Sequence, residues 1–297
     1  MTGAERGFLL LTSMLGDPNR KPLTSAQLRQ LGRRAREMEI TSPDRKLTQQ
    51  DLMSIGYSGD MACRIIDLIS EDTLLDYYVS QGRRVDCVPI TRASQAYPDA
   101  LRSKLGDDAP GCLWAKGDVR LLRLPKISLV GSRDLREENR RFAAEVGCQA
   151  ARQGYVLVSG NARGADRVAQ EACLKHGGCV ISVVADHLAN IPMRDGMLYL
   201  SEDGYDMTFS AQRAISRNRV IHALGEKTFV AQSDFGHGGT WDGTVKNLRS
   251  YLSAVYCFRD ESPAQQQFTQ MGATAVVLED LENLAELAGL DRGLFDQ

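Results

Sequence analysis

Two turns in this sequence combine glycine, hydroxyl and arginine residues directly after a short apolar run. The first turn is Gly131-Ser132-Arg133, and the second runs from Ser159 to Gly164 with the sequence SGNARG. Glycine lets a backbone approach a ligand, a serine hydroxyl donates a hydrogen bond, and arginine binds phosphate oxygens with two parallel donors. Neither turn matches GxGxxG, and the chain contains no GxxxxGK[ST] loop. The pattern therefore predicts an anion site that is neither a dinucleotide fingerprint nor a P-loop.

Two later segments carry the same kinds of residues. One is Ser216-Arg217-Asn218-Arg219, at or near the start of a helix, and the other runs from Gly236 to Trp241 with the sequence GHGGTW. Any one of these loops alone would favour a simpler interpretation, in which glycine only turns the chain and arginine only reaches solvent. Four such loops at one edge of a sheet favour an anion-binding crevice. The candidate residues are Gly131, Ser132, Arg133, Ser159, Gly160, Asn161, Arg163, Gly164, Arg217, Asn218, Arg219, Gly238, Gly239 and Thr240.

Alternating strand and helix patterns from Lys126 onward predict the scaffold that brings these loops together. Strands are predicted at 127–131, 155–159, 179–184, 228–232, 254–258 and 275–278. Helices are predicted at 136–152, 164–176, 193–203, 212–224, 241–252, 263–272 and 279–288. Such alternation with right-handed crossovers gives an α/β fold with a doubly wound, mostly parallel sheet. Ligands of such sheets bind beyond the carboxyl ends of the strands, where the four loops lie.

The first 85 residues have a different pattern, with short helices separated by polar turns. Thr24 or Ser25 is predicted to cap one helix, and Thr48 with Asp51 to form a capping box before another. We therefore expect a small all-α domain at 1–85 and the α/β domain at 86–297. Three arginines on one predicted helix face, at 29, 33 and 36, are either a solvated face or a secondary phosphate contact. Trp114, in an apolar run, is predicted to be core, whereas Trp241 is as consistent with packing as with base stacking.

The composition is that of an ordinary globular protein of 297 residues, with 43% apolar and 25% charged residues. No run approaches the roughly 18 to 20 apolar residues of a membrane helix. The net charge is −2, and residues 1–85 hold 12 basic against 11 acidic residues, so neither part is basic. Seven cysteines without a CxxC pair and four histidines without a metal-binding spacing predict reduced thiols in the cytoplasm, no metal and no cofactor. Any nucleic-acid binding must come from a local patch.

In order along the chain, these motifs resemble the DNA-processing protein A family, also called Smf. The resemblance lies in VGSR at 130–133, VSGNARGAD at 158–166, the Gly177-Gly178 pair and RNRVI at 217–221, preceded by Tyr97-Pro98 and Lys116-Gly117-Asp118. It implies an extended Rossmann fold behind a sterile-alpha-motif-like domain, and binding of single-stranded DNA without strong sequence preference. It also implies loading of the RecA recombinase in natural transformation, and a homodimer joined through the Rossmann domain. The DNA-contacting candidates that it implies are Arg133, Arg163, Arg217 and Arg219.

The chain also departs from the family pattern. Ala165-Asp166 and Ala169-Gln170 replace the usual Ile-Asp and Ala-His, and the last glycine loop is atypical. The winged-helix domain of many members is not expected, and a role in defence or a mobile element stays open beside transformation. The wider superfamily adds two alternatives, nucleotide-sensing domains of defence systems and phosphoribohydrolases that split nucleoside monophosphates. In this loop the hydrolases have a motif similar to PGGxGTxxE, but in this sequence Gly243 occupies the position of the glutamate. We therefore predict a DNA-binding protein without catalytic activity, and we rank a nucleotide sensor second and a hydrolase third.

Overall fold

The computed structural model describes residues 1–36 and 46–288, which contain twelve α-helices and nine β-strands. The helices are α1 (Gly3–Thr12), α2 (Ser25–Ala35), α3 (Gln49–Ser54), α4 (Gly59–Ile69), α5 (Asp72–Arg84), α6 (Asp99–Leu105), α7 (Glu137–Arg152), α8 (Ala165–Lys175), α9 (Ala211–Ser216), α10 (Asn218–Leu224), α11 (Gly239–Ser250) and α12 (Pro263–Gln270). The strands are β1 (Cys87–Thr91), β2 (Cys112–Gly117), β3 (Lys126–Val130), β4 (Val156–Ser159), β5 (Val180–Val183), β6 (Met197–Ser201), β7 (Lys227–Val230), β8 (Ala254–Phe258) and β9 (Thr274–Val276).

All nine strands form one sheet, in the order β1-β2-β6-β5-β4-β3-β7-β8-β9. The seven strands from β6 to β9 in this order are parallel, whereas β1 and β2 pair antiparallel at one edge. The chain builds outward from β3 to β6 and then returns to the other side of β3 with β7. This reversal confirms the predicted doubly wound, mostly parallel α/β fold. Because β3 is buried along its whole length, both faces of the sheet carry a hydrophobic core.

The helices before β1 divide between two cores. Leu9 of α1 and Tyr78 of α5 join the core on one face of the sheet, where Trp114 is fully buried, as predicted. Residues of α3 and α4, such as Leu52 and Ile65, form a smaller cluster of their own. The predicted caps are present, since Thr24 caps α2 and Thr48 with Asp51 forms the capping box of α3.

The predicted helix at 193–203 is wrong, because this segment forms strand β6. Met197 to Ser201 pairs in parallel with β5 and antiparallel with β2, and all five residues are buried. A short, continuously apolar run that is buried on both sides has no periodicity to separate strand from helix. Two other predicted helices differ from the structure. The predicted helix 212–224 is divided at Arg217 into α9 and α10, and only a 3-10 turn at Glu279–Asn283 forms within 279–288.

Candidate functional site

A crevice of about 560 Å³ lies at the carboxyl end of β3, between the ends of β4 and β7. Strand order reverses at this point, which is where open α/β sheets bind their ligands. The sequence-predicted residues that line it are Gly131, Ser132, Arg133, Arg217, Asn218, Gly238, Gly239 and Thr240. Asn161 and Arg163 line a smaller adjoining pocket, and Ser159 and Gly160 are buried in the neighbouring β4 turn. The structure therefore brings the first, third and fourth predicted loops around one crevice, which the second loop borders through Ala162.

The first two turns pack directly against each other. The Ser132 carbonyl accepts a hydrogen bond from the Ala165 amide at 3.1 Å, and the Ser132 amide donates to the Gln232 carbonyl at 2.9 Å. Gly164 has a φ of +83°, and a Cβ at this position would overlap the carbonyl oxygens of Ser132 and Arg133. Only glycine therefore allows the second turn to lie this close to the first. The contact fixes the backbone that carries Arg133 and Arg163.

Arg217 lies at the floor of the crevice, with only 12% of its side chain exposed. One terminal nitrogen donates to the Asn218 amide oxygen at 2.9 Å, and the other lies 3.7 Å from an Asp166 carboxylate oxygen. Its Nε is buried and has no hydrogen-bond partner among the described residues. The guanidinium lies across the backbone of Gly160, where any Cβ would overlap both Arg217 and Asp166. A side-chain contact, rather than the conformation of the turn, thus favours glycine at position 160.

Asp166 is buried in the first turn of α8 and accepts a hydrogen bond from the Ala162 amide at 3.2 Å. Burial raises the pKa of Asp166, and the charge of Arg217 offsets this only in part. Burial likewise lowers the pKa of Arg217. Burial is the main cause of both pKa shifts, and the attraction between the two groups, which lie 3.7 Å apart without a direct hydrogen bond, offsets it only in part. Arg217 can therefore accept an additional anionic partner from the crevice.

Arg133 and Arg163 are both exposed, but their surroundings differ. Arg163 forms an exposed ion pair with Asp134, at 3.1 Å. Such surface pairs contribute little free energy, about 0–1 kcal/mol, so the guanidinium exchanges easily to another anion. Arg133 has no hydrogen bond or ion pair within residues 1–36 and 46–288, and it borders both the crevice and the adjoining pocket. Arg133 is consequently the most available cation at this edge.

Arg219 does not reach the crevice. Its guanidinium binds both carboxylate oxygens of Glu202, at 2.6 and 3.0 Å, and donates to the Ser216 carbonyl at 2.7 Å. Both side chains of this ion pair are more than four-fifths buried. Arg219 instead borders a separate pocket of about 340 Å³ beside Lys246. The position of Arg219 indicates that it anchors α10 to the end of β6.

The fourth loop presents the start of α11 to the crevice. Gly238 precedes the helix with no side-chain cap, so the first amides of α11 have no intrahelical acceptor. Asn218 donates to the Gly239 carbonyl at 2.9 Å and thereby joins α10 to this start. Trp241 packs against the rings of Phe235 and Phe268, with centroids 5.0 and 4.9 Å away, which favours packing over base stacking. Uncapped amides at a helix start form an anion-binding site.

Asp186 and Phe209, which no motif had indicated, border the adjoining pocket of about 240 Å³. Asp186 follows the end of β5, and 54% of Phe209 is exposed on the connection between β6 and α9. The sequence held one signal for them, because the residues just after a parallel strand lie at the ligand-binding edge. That signal was missed for Phe209 when the β6 segment was assigned to a helix.

His222 is fully buried behind the crevice, between α10 and α11. Its Nδ1 lies 2.9 Å from the Asn247 side-chain nitrogen, and Nε2 has no partner among the described residues. Burial, together with the charge of Arg217, lowers the pKa of His222 to about 3. His222 is therefore a neutral packing residue. His237, in the glycine loop, is exposed.

The described part of the chain holds no group of three or more side chains arranged to bind a metal ion. Within the same residues, no helix has the length and apolar character needed to cross a bilayer.

Comparison with known proteins relates this architecture to one family. The family model for DNA recombination-mediator protein A matches residues 89–287. DNA processing protein DprA of Bacillus subtilis is 31% identical over 170 residues, which cover 54% of this chain and 55% of the relative. The chain thus spans about half the length of the curated relatives that it matches.

Two solved structures share the fold. The X-ray structure of DNA processing protein A from Streptococcus pneumoniae matches with a TM-score of 0.72 and 23% identity, over 95% of this chain and 97% of that one. The second is DNA processing protein A from Helicobacter pylori, whose structure concerns its single-stranded DNA binding mode. It matches with a TM-score of 0.55 and 23% identity, over 66% of this chain and 93% of that one.

Proposed function

Because the chain belongs to the DNA recombination-mediator protein A family, we propose that it binds single-stranded DNA through backbone phosphates in the crevice at the end of β3. The main observation behind this proposal is that three kinds of hydrogen-bond donor for phosphate meet at the point where strand order reverses. They are the guanidinium of Arg133 and the buried Nε of Arg217, neither of which has a partner among the described residues, and the uncapped amides of α11. The single-stranded DNA binding of the Helicobacter pylori relative supports the choice of ligand.

The form of the site favours backbone recognition over base recognition. Glycine-rich turns and helix amides recognise the charge and shape of a phosphate, which every nucleotide shares. Since the net charge of the chain is −2, attraction must come from these local donors rather than from a basic surface. Arg219 has a positioning role in this proposal, because its guanidinium is held by Glu202.

The test is a titration of a labelled oligonucleotide at several salt concentrations. We expect affinity to fall with salt, with a log–log slope of about −0.7 for each phosphate neutralised on a single strand. Arg133→Ala should weaken binding and make the salt slope shallower by about 0.7, the contribution of one neutralised phosphate. Arg249→Ala is the matched control, because Arg249 is an exposed arginine in the last turn of α11, away from the crevice. Binding that is insensitive to salt, or equal in both variants, would contradict the proposal.

We further propose that the protein loads a RecA-type recombinase onto the strand, acts as a homodimer and catalyses no reaction. Family membership supports recombinase loading. Two crevices that hold one strand can raise its affinity by a factor of about 10² to 10⁴, which supports the homodimer. Val255, Tyr256, Leu281 and Leu284, near one end of the sheet, are buried within the subunit and are not available for the dimer contact. Gly243, which occupies the position of the hydrolase glutamate, supports the absence of catalysis.

The nucleotide-sensing alternative predicts a different result in the same titration. A sensor would bind a mononucleotide about as tightly as a strand, whereas a strand binder gains affinity with length. Light scattering at micromolar concentration tests the dimer, which should have twice the 32.7 kDa chain mass.

A further inference from the structure

One wall of the crevice is the short helix α9, which the hydrophobic core does not hold. Ala211, Ala214 and Ile215 of this helix line the crevice, and Ala214 also borders the adjoining pocket. None of the six residues of α9 is buried, whereas every residue of α10 from 220 to 224 is. An element with few buried apolar contacts opens at a low cost in free energy. The position of this wall therefore depends on polar contacts.

Arg213 supplies these contacts through a side chain that is only 13% exposed. Its guanidinium joins α9 to the ends of β5 and β6 and to the loop between β6 and α9. The acceptors are the Asp203 carboxylate at 2.7 Å, the Ser201 hydroxyl at 3.0 Å, and the carbonyl oxygens of Ala185, Met207 and Thr208 at 2.7, 3.1 and 2.6 Å. Because all three nitrogens of the guanidinium donate, no other side chain reproduces this set of bonds.

The loop that Arg213 binds is itself fixed to the N-terminal helices. Tyr205 stacks on Tyr78 of α5, with ring centroids 4.5 Å apart, and its hydroxyl donates to the Tyr78 carbonyl at 3.0 Å. The Tyr78 hydroxyl in turn donates to Asp206. Both tyrosines are buried. Arg213 consequently joins an unburied helix to a well-packed part of the molecule.

Arg213 itself lies outside the site. It lines neither the crevice nor the adjoining pocket, so a strand in the crevice does not meet its guanidinium. Arg217, at the floor, directly precedes α10, and the buried residues of α10 hold that helix without Arg213. Loss of Arg213 should therefore release the wall and leave the phosphate donors of the crevice in place.

We propose that Arg213 is a positioning residue, which holds α9 where strand binding requires it. Without Arg213 the wall is in place in only a fraction of the molecules, and the apparent affinity falls by that fraction. The complex that finally forms is the same, with the same phosphates neutralised. The inference rests on the proposed strand binding and adds to it the side chain that prepares the crevice for a strand.

The test replaces Arg213 by methionine, which keeps much of the side-chain volume and removes every donor. We expect the wall to be in place in about 1–10% of the variant molecules, so that affinity for oligo-dT falls about 10- to 100-fold. The salt slope should keep its parental value, whereas loss of a direct phosphate contact makes it shallower by about 0.7. Arg213→Lys keeps the charge without the planar fork and should bind with intermediate affinity, again with an unchanged slope.

Hydrogen exchange measures the state of α9 directly. The amides of Ala214 and Arg217, which donate to the carbonyls of Ser210 and Arg213, should exchange faster in Arg213→Met than in the parent. Saturating oligo-dT should return them to the parental rate, because the bound complex is the same.

Arg64→Met is the matched control. Arg64 is also a half-buried arginine that donates to backbone carbonyls, those of Lys21 and Pro22, but it lies in the N-terminal helices. This variant should bind oligo-dT like the parent even where its melting temperature falls. If Arg213→Met does not fold, Arg213→Lys carries the same comparison.

Parental affinity in both Arg213 variants would overturn the inference. A salt slope shallower by about 0.7 would also overturn it, because Arg213 would then contact a phosphate directly. An equal loss of affinity in Arg64→Met would overturn it too, since general destabilisation would account for the effect. In each case salt-dependent binding by the parent leaves the proposed function standing, whereas failure of the parent to bind any strand refutes that function itself.

Discussion

Replacing Arg217 by methionine tests the floor of the crevice, because it removes the cation that faces Asp166 while keeping most of the side-chain volume. At 3.7 Å and an effective dielectric constant of about 20, the attraction is about 4 kcal/mol. Both side chains are nearly buried, so Asp166 would remain as an unpaired buried carboxylate. Breaking such a pair costs about 3–5 kcal/mol, and the already raised pKa of Asp166 places the expected loss near 3 kcal/mol. We therefore expect the melting temperature to fall by about 5–10 °C.

A second substitution separates this stability effect from DNA binding. In the Asp166→Asn/Arg217→Met double variant no buried charge is left unpaired, so stability should return to within about 1 kcal/mol of the parent. DNA affinity should stay low, because the guanidinium is still missing. Denaturant unfolding measures the first quantity and fluorescence polarisation with a labelled oligonucleotide the second. A stable Arg217→Met variant would refute the buried pair, and parental DNA affinity in the double variant would refute Arg217 as a phosphate contact.

Two further substitutions test the same region. Gly160→Ala places a Cβ under 3.0 Å from both Arg217 and Asp166, so we expect the free energy of unfolding to fall by about 1–3 kcal/mol and DNA binding to weaken. The control Gly32→Ala, which places its Cβ in open space on α2, should not destabilise the protein. Equal unfolding midpoints for the two variants would contradict this packing. His222 has a folded pKa of about 3 against 6.5 unfolded, so the unfolded chain binds more protons between these values, and stability falls by about 1.4 kcal/mol per pH unit below 6.5. His222→Gln should lose this part of the pH dependence in denaturant unfolding between pH 7.5 and 5, and an unchanged profile would show that His222 is not buried.

The sequence predicted the backbone of the site better than its side-chain partners. Strand runs that end in Gly131 and Gly160 are local signals, and the sheet-edge rule then brings their loops together. The ion pairs of Arg217 and Arg219 were not predictable, because Asp166 and Glu202 lie far away in the sequence and meet them only through the fold. The assignment of 193–203 failed for a related reason, since burial on both sides removes the alternation that identifies a strand.

The ion pair of Arg217 and Asp166 implies that strand binding changes the protonation of the crevice. A phosphate that approaches Arg217 brings a second negative charge beside Asp166, and this raises the pKa of Asp166 further above its already raised value. Asp166 therefore takes up a proton on binding, so affinity should increase as the pH falls from the bound-state pKa toward that of the free protein. Asp166→Asn should bind at least as tightly as the parent at neutral pH and lose this dependence. Measurements in a His237→Gln background remove the histidine of the crevice from the comparison. Identical pH profiles with and without Asp166→Asn would show that no phosphate binds to Arg217 beside this carboxylate.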